Sequence, residues 1–545
     1  MCVYILIVIW SSIVSALPAD LDTTFGNSNG YITHDFNPTT SRGTQFTALA
    51  EQPDGKLLVA TFGVSNAFLN ARVGIARFTV TGDLDTSFGS SGTTGVLTSG
   101  EGGPASKILV DSQGRILVLY QQRANGAVPL NIRITRLDSS GALDATFGTG
   151  GTVTTLVAGG GTAGGDQGKY GADMVFDSAE RILVVAGPQD GLFSTAGSGV
   201  TTILRYDSTG ALDATYGVAG VADLPAPTYT QWIGTGAVNN PTDDSLYVYM
   251  INSVNTNTAP PDTPARVGIA KILSSGTPDG SFGTNGLLIV DISPAVANTS
   301  ANATIFGPAH NVMLSGDVPV AVGVGINNTT VYLTVVRATP AGLVANTLNT
   351  TTFTPPTTVP AGAGSDAALE NTWVLFNLTR SLATAQVQSN GSIVVAGMSV
   401  ANASEGTNQS GVPFVGRLTG DGLPDHTFAY TGGADPASGS VTFDPTVISG
   451  YLYGNYFSML VRANGKIVCA GTLAQLGVNS AGTFLSANTR NLGLIAQYQG
   501  TVPCPRPISQ LSQAIINKYT GDSPASLCIA PLPEKTLPTC PPCTH

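Results

Sequence analysis

The chain has 545 residues, of which only 10% are charged, and it carries 66 Gly, 33 Pro and a net charge of −11. This composition excludes coiled coils, helical solenoids and charged disordered tails, because all of these are rich in charged, helix-favouring or disorder-promoting residues. No basic stripe is present, so we expect no nucleic-acid partner. Past residue 16 no apolar stretch reaches membrane-spanning length, so we expect no membrane partner after signal cleavage.

Residues 1–19 are typical of a secretory signal peptide. An apolar run covers residues 3–14, and small residues at Ala16 and Ala19 provide two candidate cleavage sites. The segment before the apolar run has no Lys or Arg, which leaves a first core strand or an uncleaved anchor as alternatives. The pattern predicts a secreted, extracellular protein.

A six-residue motif recurs along the chain. Its clearest copies are LDTTFG at 21–26, LDTSFG at 84–89, LDATFG at 143–148 and LDATYG at 212–217. Degenerate copies follow at 278–283 and 424–428. The spacings between the first five copies are 63, 59, 69 and 66 residues, which indicates a repeat architecture.

Between the copies, two β-branched runs flank a short polar turn. Asp-Gly and Asn-Gly pairs in such turns are the strongest local signal for a β-hairpin. The seven turns are at 53–56, 112–115, 178–181, 242–245, 315–318, 389–392 and 463–466. With a further run before each motif, every unit has four strands, which in unit two are expected at 93–97, 107–111, 115–120 and 132–137.

Seven such units predict an all-β fold, a seven-bladed β-propeller of four-stranded antiparallel blades over residues 20–500. A linear β-solenoid is the alternative, although its repeats are usually shorter and more regular. The pairing of the Asp-Gly hairpin with the LD-x-(S/T)-F-G motif resembles the delta-60 repeat, a β-propeller-type repeat of large secreted proteins. This resemblance covers about residues 21–500 and implies the fold, but no catalytic residue.

The motif residues are expected to be structural. The Leu and Phe are predicted to pack one blade on the next, the Asp to accept backbone N–H groups in an Asx-type turn, and the Gly to permit a positive φ. Calcium binding by the Asp is the alternative, since hard oxygen ligands suit that ion. The predicted structural residues are Asp22, Phe25, Asp85, Phe88, Asp144, Phe147, Asp213, Tyr216, Asp279 and Phe282.

N-glycosylation sequons are confined to one part of the chain. They lie at Asn298, Asn302, Asn327, Asn328, Asn349, Asn377, Asn390, Asn402 and Asn408. We interpret this as one glycan-bearing sector and one bare sector that contacts partners, because a glycan blocks close packing. Drift within a Thr-rich region is the alternative. A Thr/Pro-rich loop at 350–360 has a composition suited to O-glycosylation.

The last 45 residues, 501–545, depart from the repeat. Four cysteines, Cys504, Cys528, Cys540 and Cys543, predict a disulfide-stapled tail in a secreted chain, with a zinc site as the alternative. Sequence alone leaves three possible pairings. Apolar residues at helical spacing predict one short helix, either docked on the propeller or part of an arm that reaches a neighbouring subunit. Cys469, in a predicted strand, is expected to be a buried free thiol.

The sequence has no motif that assigns a reaction. His34, His310, His426 and His545 are far apart, and each is expected to be a satisfied surface or loop residue. We expect no catalytic residue, metal or cofactor. The favoured function is a secreted, non-catalytic structural or interaction protein, such as a subunit of a coat, appendage or fibril, whose partners are further copies or other extracellular matrix or appendage proteins. A secreted hydrolase, lyase or lectin acting on glycans is the alternative.

Overall fold

The computed structural model describes most of the chain between residues 19 and 500. The described residues are 19–36, 43–63, 72–97, 103, 105–124, 127–157, 169–188, 200–224, 231–253, 266–291, 304–305, 312–327, 330–350, 382–400, 411–420, 422–423, 425, 427–428, 440–449, 451, 453–474 and 491–500. Ala16–Thr501 form one compact unit. Residues 1–15 and 502–545, with the predicted helix of the tail, lie outside the described residues.

The described residues are almost entirely strands. The strands are β1 (Tyr31–His34), β2 (Thr44–Glu51), β3 (Leu57–Gly63), β4 (Arg72–Phe78), β5 (Thr93–Leu97), β6 (Lys107–Val110), β7 (Ile116–Ala124), β8 (Ala127–Leu137), β9 (Thr152–Thr155), β10 (Lys169–Phe176), β11 (Ile182–Pro188), β12 (Thr202–Tyr206), β13 (Val221–Asp223), β14 (Gln231–Asn239), β15 (Leu246–Ser253), β16 (Arg266–Ile272), β17 (Leu287–Asp291), β18 (Thr304–Ile305), β19 (Val312–Ser315), β20 (Val318–Asn327), β21 (Thr330–Ala338), β22 (Val344–Thr350), β23 (Leu382–Val387), β24 (Ile393–Val400), β25 (Gly411–Leu418), β26 (Ser440–Thr442), β27 (Tyr453–Val461), β28 (Ile467–Ala474) and β29 (Asn491–Tyr498). One 3-10 helix, Pro445–Val447, is capped by Asp444, whose Oδ1 accepts a hydrogen bond from the N–H of Thr446 (2.9 Å). No helix among these residues is long and apolar enough to cross a membrane.

These strands form seven antiparallel sheets, so the predicted propeller of four-stranded blades is confirmed. Blades 1 to 4 are β2–β5, β6–β9, β10–β13 and β14–β17. In blade 5, strands β18 and β19 both pair with β20, which is followed by β21 and β22. Blade 6 is β23–β26, and blade 7 is β27, β28, β29 and β1.

The predicted grouping of strands into units is wrong by one strand. The segment 93–97 was assigned to the second unit, but β5 pairs with β4 and is the outermost strand of blade 1. The outermost strand of blade 2 is β9, which pairs with β8. Each sequence unit therefore begins with the last strand of one blade and continues with three strands of the next.

The same offset closes the ring. The N-terminal strand β1 pairs with β29, with Tyr31 opposite Ala496 and His34 opposite Gly493. The first strand of each blade contacts the first strand of the next, and β27 of blade 7 contacts β2 of blade 1. The two ends of the described chain thus share one sheet, which joins blade 7 to blade 1.

The hydrophobic core lies in the seams between blades. In β3, Leu58 packs with Val118 in the seam between blades 1 and 2, whereas the next residue, Val59, packs with Val468 in the seam between blades 7 and 1. Successive side chains of a strand point to opposite faces, so a central strand of a blade is buried on both. This explains why the β-branched runs are continuous rather than alternating.

Five of the innermost strands share a β-bulge. It lies between Phe46 and Ala48, Gly171 and Asp173, Gly234 and Gly236, Leu382 and Thr384, and Tyr456 and Ser458. The residue after the bulge can contact the neighbouring blade: Asp173 Oδ2 accepts from the N–H of Ala237 (3.0 Å), and Ser458 Oγ accepts from the N–H of Leu49 (3.2 Å). Lys107 Nζ of blade 2 lies 3.1 Å from Asp173 Oδ1. Two of these five bulges therefore place a side chain that links neighbouring blades.

Candidate interaction face

Two sets of connections emerge at the same end of the blades, because the strands alternate in direction. One set joins first and second strands, and the other joins third and fourth strands and contains the LD-x-(S/T)-F-G motif. Ion pairs connect the two sets: Lys56 Nζ lies 3.3 Å from Asp85 Oδ2, and Arg181 Nη1 lies 3.4 Å from Asp213 Oδ2. We call this end of the ring the turn face.

Each motif Asp uses its two carboxylate oxygens differently. Asp85 Oδ1 accepts hydrogen bonds from the backbone N–H (3.1 Å) and hydroxyl (2.5 Å) of Ser87. Asp85 Oδ2 accepts from Nε of Arg77, the next-to-last residue of the third strand of the blade (2.9 Å). The same arrangement recurs at Asp144 with Thr146 and Arg136, Asp213 with Thr215 and Arg205, Asp279 with Ser281 and Lys271, and Asp425 with Thr427 and Arg417.

The N-terminal copy of the motif contacts blade 7. Asp22 Oδ1 accepts from the hydroxyl of Thr24 (2.8 Å), and its Oδ2 accepts from Gln497 Nε2 (2.5 Å) and Lys466 Nζ (2.5 Å). Gly26 N donates to the carbonyl of Thr81 in blade 1 (2.8 Å). The first motif in the sequence therefore joins the last blade to the first.

The Arg also crosses the seam. Its guanidinium lies over the motif aromatic, with the Arg136 carbon Cζ 4.5 Å from the ring centroid of Phe147. Arg136 Nη1 donates to the carbonyl of Ser208 (2.5 Å), and Gly148 N donates to the carbonyl of Thr209 (2.8 Å), both in blade 3. Arg136 and Gly148 thus donate hydrogen bonds to two successive carbonyl groups of the next blade. We call this arrangement of Asp, Arg, aromatic ring and Gly the seam clamp.

The seam clamp recurs around the ring with some variation. Its full form joins blade 1 to blade 2, blade 2 to blade 3 and blade 3 to blade 4. Between blades 1 and 2, Arg77 donates to the carbonyl of Ser139 and Gly89 N donates to that of Ser140. Between blades 3 and 4, Arg205 donates to the carbonyl of Ser274 and Gly217 N donates to that of Ser275. Lys271 replaces Arg in blade 4, where Gly283 N still donates to the carbonyl of Ala341 (2.9 Å). In blade 6, Arg417 donates to the carbonyl of Gly500.

The final Gly of the motif is required by backbone geometry. Gly148 has φ +55°, and a Cβ atom there would lie 2.7 Å from the backbone carbon of Thr152 and 2.9 Å from Val153 Cγ2. Any other residue would strain the backbone and displace these atoms from the seam.

Hydrogen bonding keeps the motif carboxylates ionised. Bonds from the Ser87 hydroxyl and N–H, with the neighbouring Lys56 and Arg77, lower the pKa of Asp85 to about 2. Bonds from Thr146 and Thr215, together with the adjacent Arg, likewise lower the pKa values of Asp144 and Asp213. Protonation of the carboxyl would weaken these hydrogen bonds, so the folded state favours the ionised form.

The motif aromatics and the motif leucines have different environments. The predicted structural aromatics are buried, as Phe25, Phe88, Phe147, Tyr216 and Phe282 are at most 1% exposed. The prediction that the Leu packs between blades is wrong for the third and fourth copies, because Leu143 is 54% and Leu212 is 39% exposed. The backbone of Leu143 forms a bridge with Leu137, the last residue of β8.

The turns between first and second strands are linked from blade to blade. Glu180 of blade 3 accepts from the N–H (2.7 Å) and hydroxyl (3.0 Å) of Ser112 in blade 2. Asp244 of blade 4 accepts in the same way from Ser178 of blade 3 (2.8 and 2.5 Å). Asp244, at the tip of its hairpin, therefore links blade 4 to blade 3.

Sequence reasoning gave no role to the Arg of the seam clamp or to the turn carboxylates. The Arg had a signal, because a basic residue ends the third apolar run in most units. Glu180 and Asp244 also had a signal, since they replace the Gly found in the equivalent turn of other blades, and their φ values are +56° and +55°. Their partners lie more than 60 residues away and could not be identified from local sequence.

Few of the predicted modification sites fall within the described residues. Asn390 is exposed in the turn of blade 6, where its Oδ1 accepts from the N–H of Ser392 (3.0 Å). Asn327 ends β20, and Asn349 lies in β22. The remaining predicted sites lie outside the described residues: Asn298, Asn302, Asn328, Asn377, Asn402, Asn408, Cys504, Cys528, Cys540 and Cys543.

Two further side chains lie near the closure of the ring. Cys469 is a buried free thiol in β28. His34 is not the satisfied surface residue that was expected: it lies in β1, stacks on Phe36 with ring centroids 3.9 Å apart, and its buried Nδ1 has no hydrogen-bond partner among the described residues. Burial lowers the pKa of His34, although Asp35 opposes this shift. Within the same residues, no three His, Cys, Asp or Glu side chains are grouped to hold a metal ion.

One repeat matches a protein-family model. The model is described as "Domain of unknown function (DUF5122) beta-propeller", and it matches residues 52–88. These residues run from the turn of blade 1 to Phe88 of its motif. The match supports a propeller-type repeat in this part of the chain. No curated protein matches the chain.

Solved structures that resemble the chain share little sequence with it. They include a protein from Lactobacillus plantarum, with 15% identity, TM-score 0.35, and coverage of 70% of this chain and 83% of that one. The GH93 alpha-L-arabinofuranosidase of Fusarium graminearum has 11% identity, TM-score 0.40 and coverage of 71% and 98%. The polysaccharide lyase Uly1 has 11% identity, TM-score 0.44 and coverage of 83% and 90%. The propeller assignment rests instead on the seven sheets of this chain.

Proposed function

We propose that the chain is a secreted, glycosylated, non-catalytic propeller of the delta-60 repeat type that acts as an extracellular structural or interaction protein. In this role it is a subunit of a surface coat, appendage or fibril. The observation that carries the proposal is the seam clamp, which uses the charged residues of the repeat to hold one blade against the next.

The geometry of the seam clamp supports a rigid scaffold. In blade 2 the Arg136 side chain is 3% exposed and contacts Asp144, the ring of Phe147 and the carbonyl of Ser208 at once. Hydrogen bonds to a charged group are worth more than neutral ones, particularly away from water. A ring held in this way keeps its surface in one conformation, which lowers the entropy cost of binding a partner.

Sequence features support the extracellular location. The apolar N-terminal segment, the sequons between residues 298 and 408, and the four cysteines after residue 500 are typical of a chain that passes through a secretory pathway. The tail disulfides offer a covalent link, either within the chain or to a neighbouring subunit.

The proposal is tested by expressing the full chain with its native N-terminus in a eukaryotic secretory host. We expect secretion, cleavage near residue 16 or 19, and occupied glycopeptides between residues 298 and 408 by mass spectrometry. We also expect ordered assemblies in size-exclusion chromatography and negative-stain images, which become smaller on reduction if the tail links subunits. Retention of the chain inside the cell contradicts the proposal.

The alternative function predicts different behaviour. A hydrolase, lyase or lectin would remain a soluble monomer, and a polysaccharide would raise its Tm or be cleaved. A panel of polysaccharides, followed by thermal shift and reducing-end assays, therefore separates the two functions.

A further inference from the structure

Two neighbouring blades carry exposed leucines beside ionised carboxylates on the turn face. In blade 2, Leu143 is 54% exposed, and the preceding residue donates its N–H to Asp138 Oδ1 (3.0 Å). In blade 3, Leu212 is 39% exposed, and the preceding residue donates to Asp207 Oδ1 (3.0 Å). The carboxylate is thus fixed next to the leucine in both blades.

The two sites are continuous across the seam. Gly148 N donates to the carbonyl of Thr209, so the turn that contains Asp207 lies directly against the motif that contains Leu143. Further along the connection of blade 3, Val218 is 81% exposed. Two exposed leucines, two carboxylates and Val218 therefore lie in connections of two adjacent blades on the turn face.

The carboxylates of this surface accept hydrogen bonds from neutral groups of the described residues. Asp138 accepts hydrogen bonds from Ser140 and its neighbour, and Asp207 accepts from Thr209 and its neighbour, all of which are neutral donors. These bonds outweigh the effect of burial and lower the pKa values of both groups, so they are ionised at neutral pH. The nearby arginines point inward, to the motif carboxylates of the seam clamp.

We infer that this surface, formed by Leu143, Leu212, Val218, Asp138 and Asp207, is a docking site for a basic, apolar segment of a protein partner. Apolar side chains beside carboxylates match a segment that presents apolar groups beside Lys or Arg residues. The inference rests on the proposed function and adds the chemistry of its partner.

Two observations favour such a partner over a second copy of the same surface. Two copies placed face to face would bring like charges together, which is unfavourable. The surface also lies in the part of the sequence without sequons, because no sequon precedes Asn298. Glycans attached after that residue leave blades 2 and 3 without a covalent sugar.

The test uses the full secreted chain and a synthetic amphipathic peptide of Leu and Lys as the probe, measured by fluorescence anisotropy. A peptide with Glu in place of Lys is the probe control. We expect the Lys peptide to bind more tightly at low salt, where ionic screening is weak, and the Glu peptide not to bind. The double variant Leu143→Ser/Leu212→Ser should raise the Kd by about tenfold or more.

Matched variants separate this site from general attraction to an acidic protein. Leu156→Ser removes a 57% exposed leucine of blade 2 outside the docking surface, so it should leave the Kd unchanged. The double variant Asp138→Asn/Asp207→Asn keeps the Oδ1 acceptors and should weaken binding. Asp223 is an exposed residue at the end of β13, and Asp223→Asn should weaken binding less. Equal effects of the site variants and their controls overturn the inference, as does tight binding of the Glu peptide.

The outcome is distinguishable from failure of the proposed function. Secretion and assembly of the chain are measured without the peptide, and their failure contradicts the proposed function whatever the peptide does. If the double leucine variant instead dissociates the native assembly while the Lys peptide fails to bind the wild-type chain, the occupant is a second copy and the inference is wrong.

Discussion

The carboxylate of Glu180 accepts two hydrogen bonds from Ser112, one from its backbone N–H and one from its hydroxyl. The backbone of Glu180 has φ +56°, a conformation that Gly114 adopts in the equivalent turn of blade 2. A strained residue is therefore retained at a position where it links the turns of two blades.

This relationship predicts different effects of two substitutions. Glu180→Ala keeps the unfavourable φ and loses both bonds, so it should lower the free energy of unfolding by about 1–2 kcal/mol. Glu180→Gly loses the same bonds but relieves the strain, so it should be nearly neutral. Urea unfolding followed by fluorescence measures both. A larger loss in the Gly variant than in the Ala variant contradicts the strain argument.

The Arg of the seam clamp should be more important than a surface ion pair. Arg136→Ala leaves Asp144 without its cation and removes the bond to blade 3, and we expect a loss of about 3–5 kcal/mol. Arg136→Lys should cost less, since Lys271 pairs with the motif Asp in blade 4. Thermal unfolding provides the measurement. Asp54→Ala, which removes only the exposed carboxylate that pairs with Lys56, is the control, and it should cost at most about 1 kcal/mol.

Two hydrophobic residues of one motif should respond differently to truncation. Phe147 is fully buried under Arg136, so Phe147→Ala should cost about 3–5 kcal/mol. Leu143 is largely exposed, and Leu143→Ala should change stability by no more than about 0.5 kcal/mol. Similar losses in both variants, measured by chemical denaturation, would show that the leucine is packed after all.

Acid should weaken the seam clamps within a defined pH range. The pKa of Asp85 is about 2 in the folded protein, below its usual value of 3.8. A lowered pKa stabilises the fold above the usual value, and this stabilisation is lost as the pH falls towards 2. Asp85→Asn should therefore have a flatter Tm profile between about pH 5 and pH 2. Asp54→Asn removes an exposed carboxylate of the same blade and should follow the wild-type profile.

Much of the fold could be predicted from the sequence because the propeller is built from local signals. Turn residues such as Asp54-Gly55 and Asn464-Gly465 mark hairpins, and the motif marks the connection between third and fourth strands. The assignment of 93–97 to the wrong blade has a physical reason. An outer strand can pair with the strand before it in the same blade, and sequence spacing alone does not identify its hydrogen-bond partner.

The contacts of the turn face were less predictable, because they depend on pairs that are distant in sequence. Arg136 and Ser208 are 72 positions apart, and Ser178 and Asp244 are 66 positions apart. The exposure of Leu143 was also missed, since a conserved-looking apolar position in a repeat is usually buried. In this motif the aromatic ring fills the seam, while the leucine backbone pairs with the preceding strand.

The closure of the ring by β1 has a consequence for synthesis. Asp22 and its partner Gln497 are 475 positions apart, so the segment that contains β1 leaves the ribosome long before its binding site exists. Until β29 is made, β1 has no strand to pair with, although Phe25 can already pack against blade 1. The six complete blades can form during translation, but the seventh must wait for the whole chain. Chaperones that hold exposed strands would then be needed most for the first part of the protein to emerge.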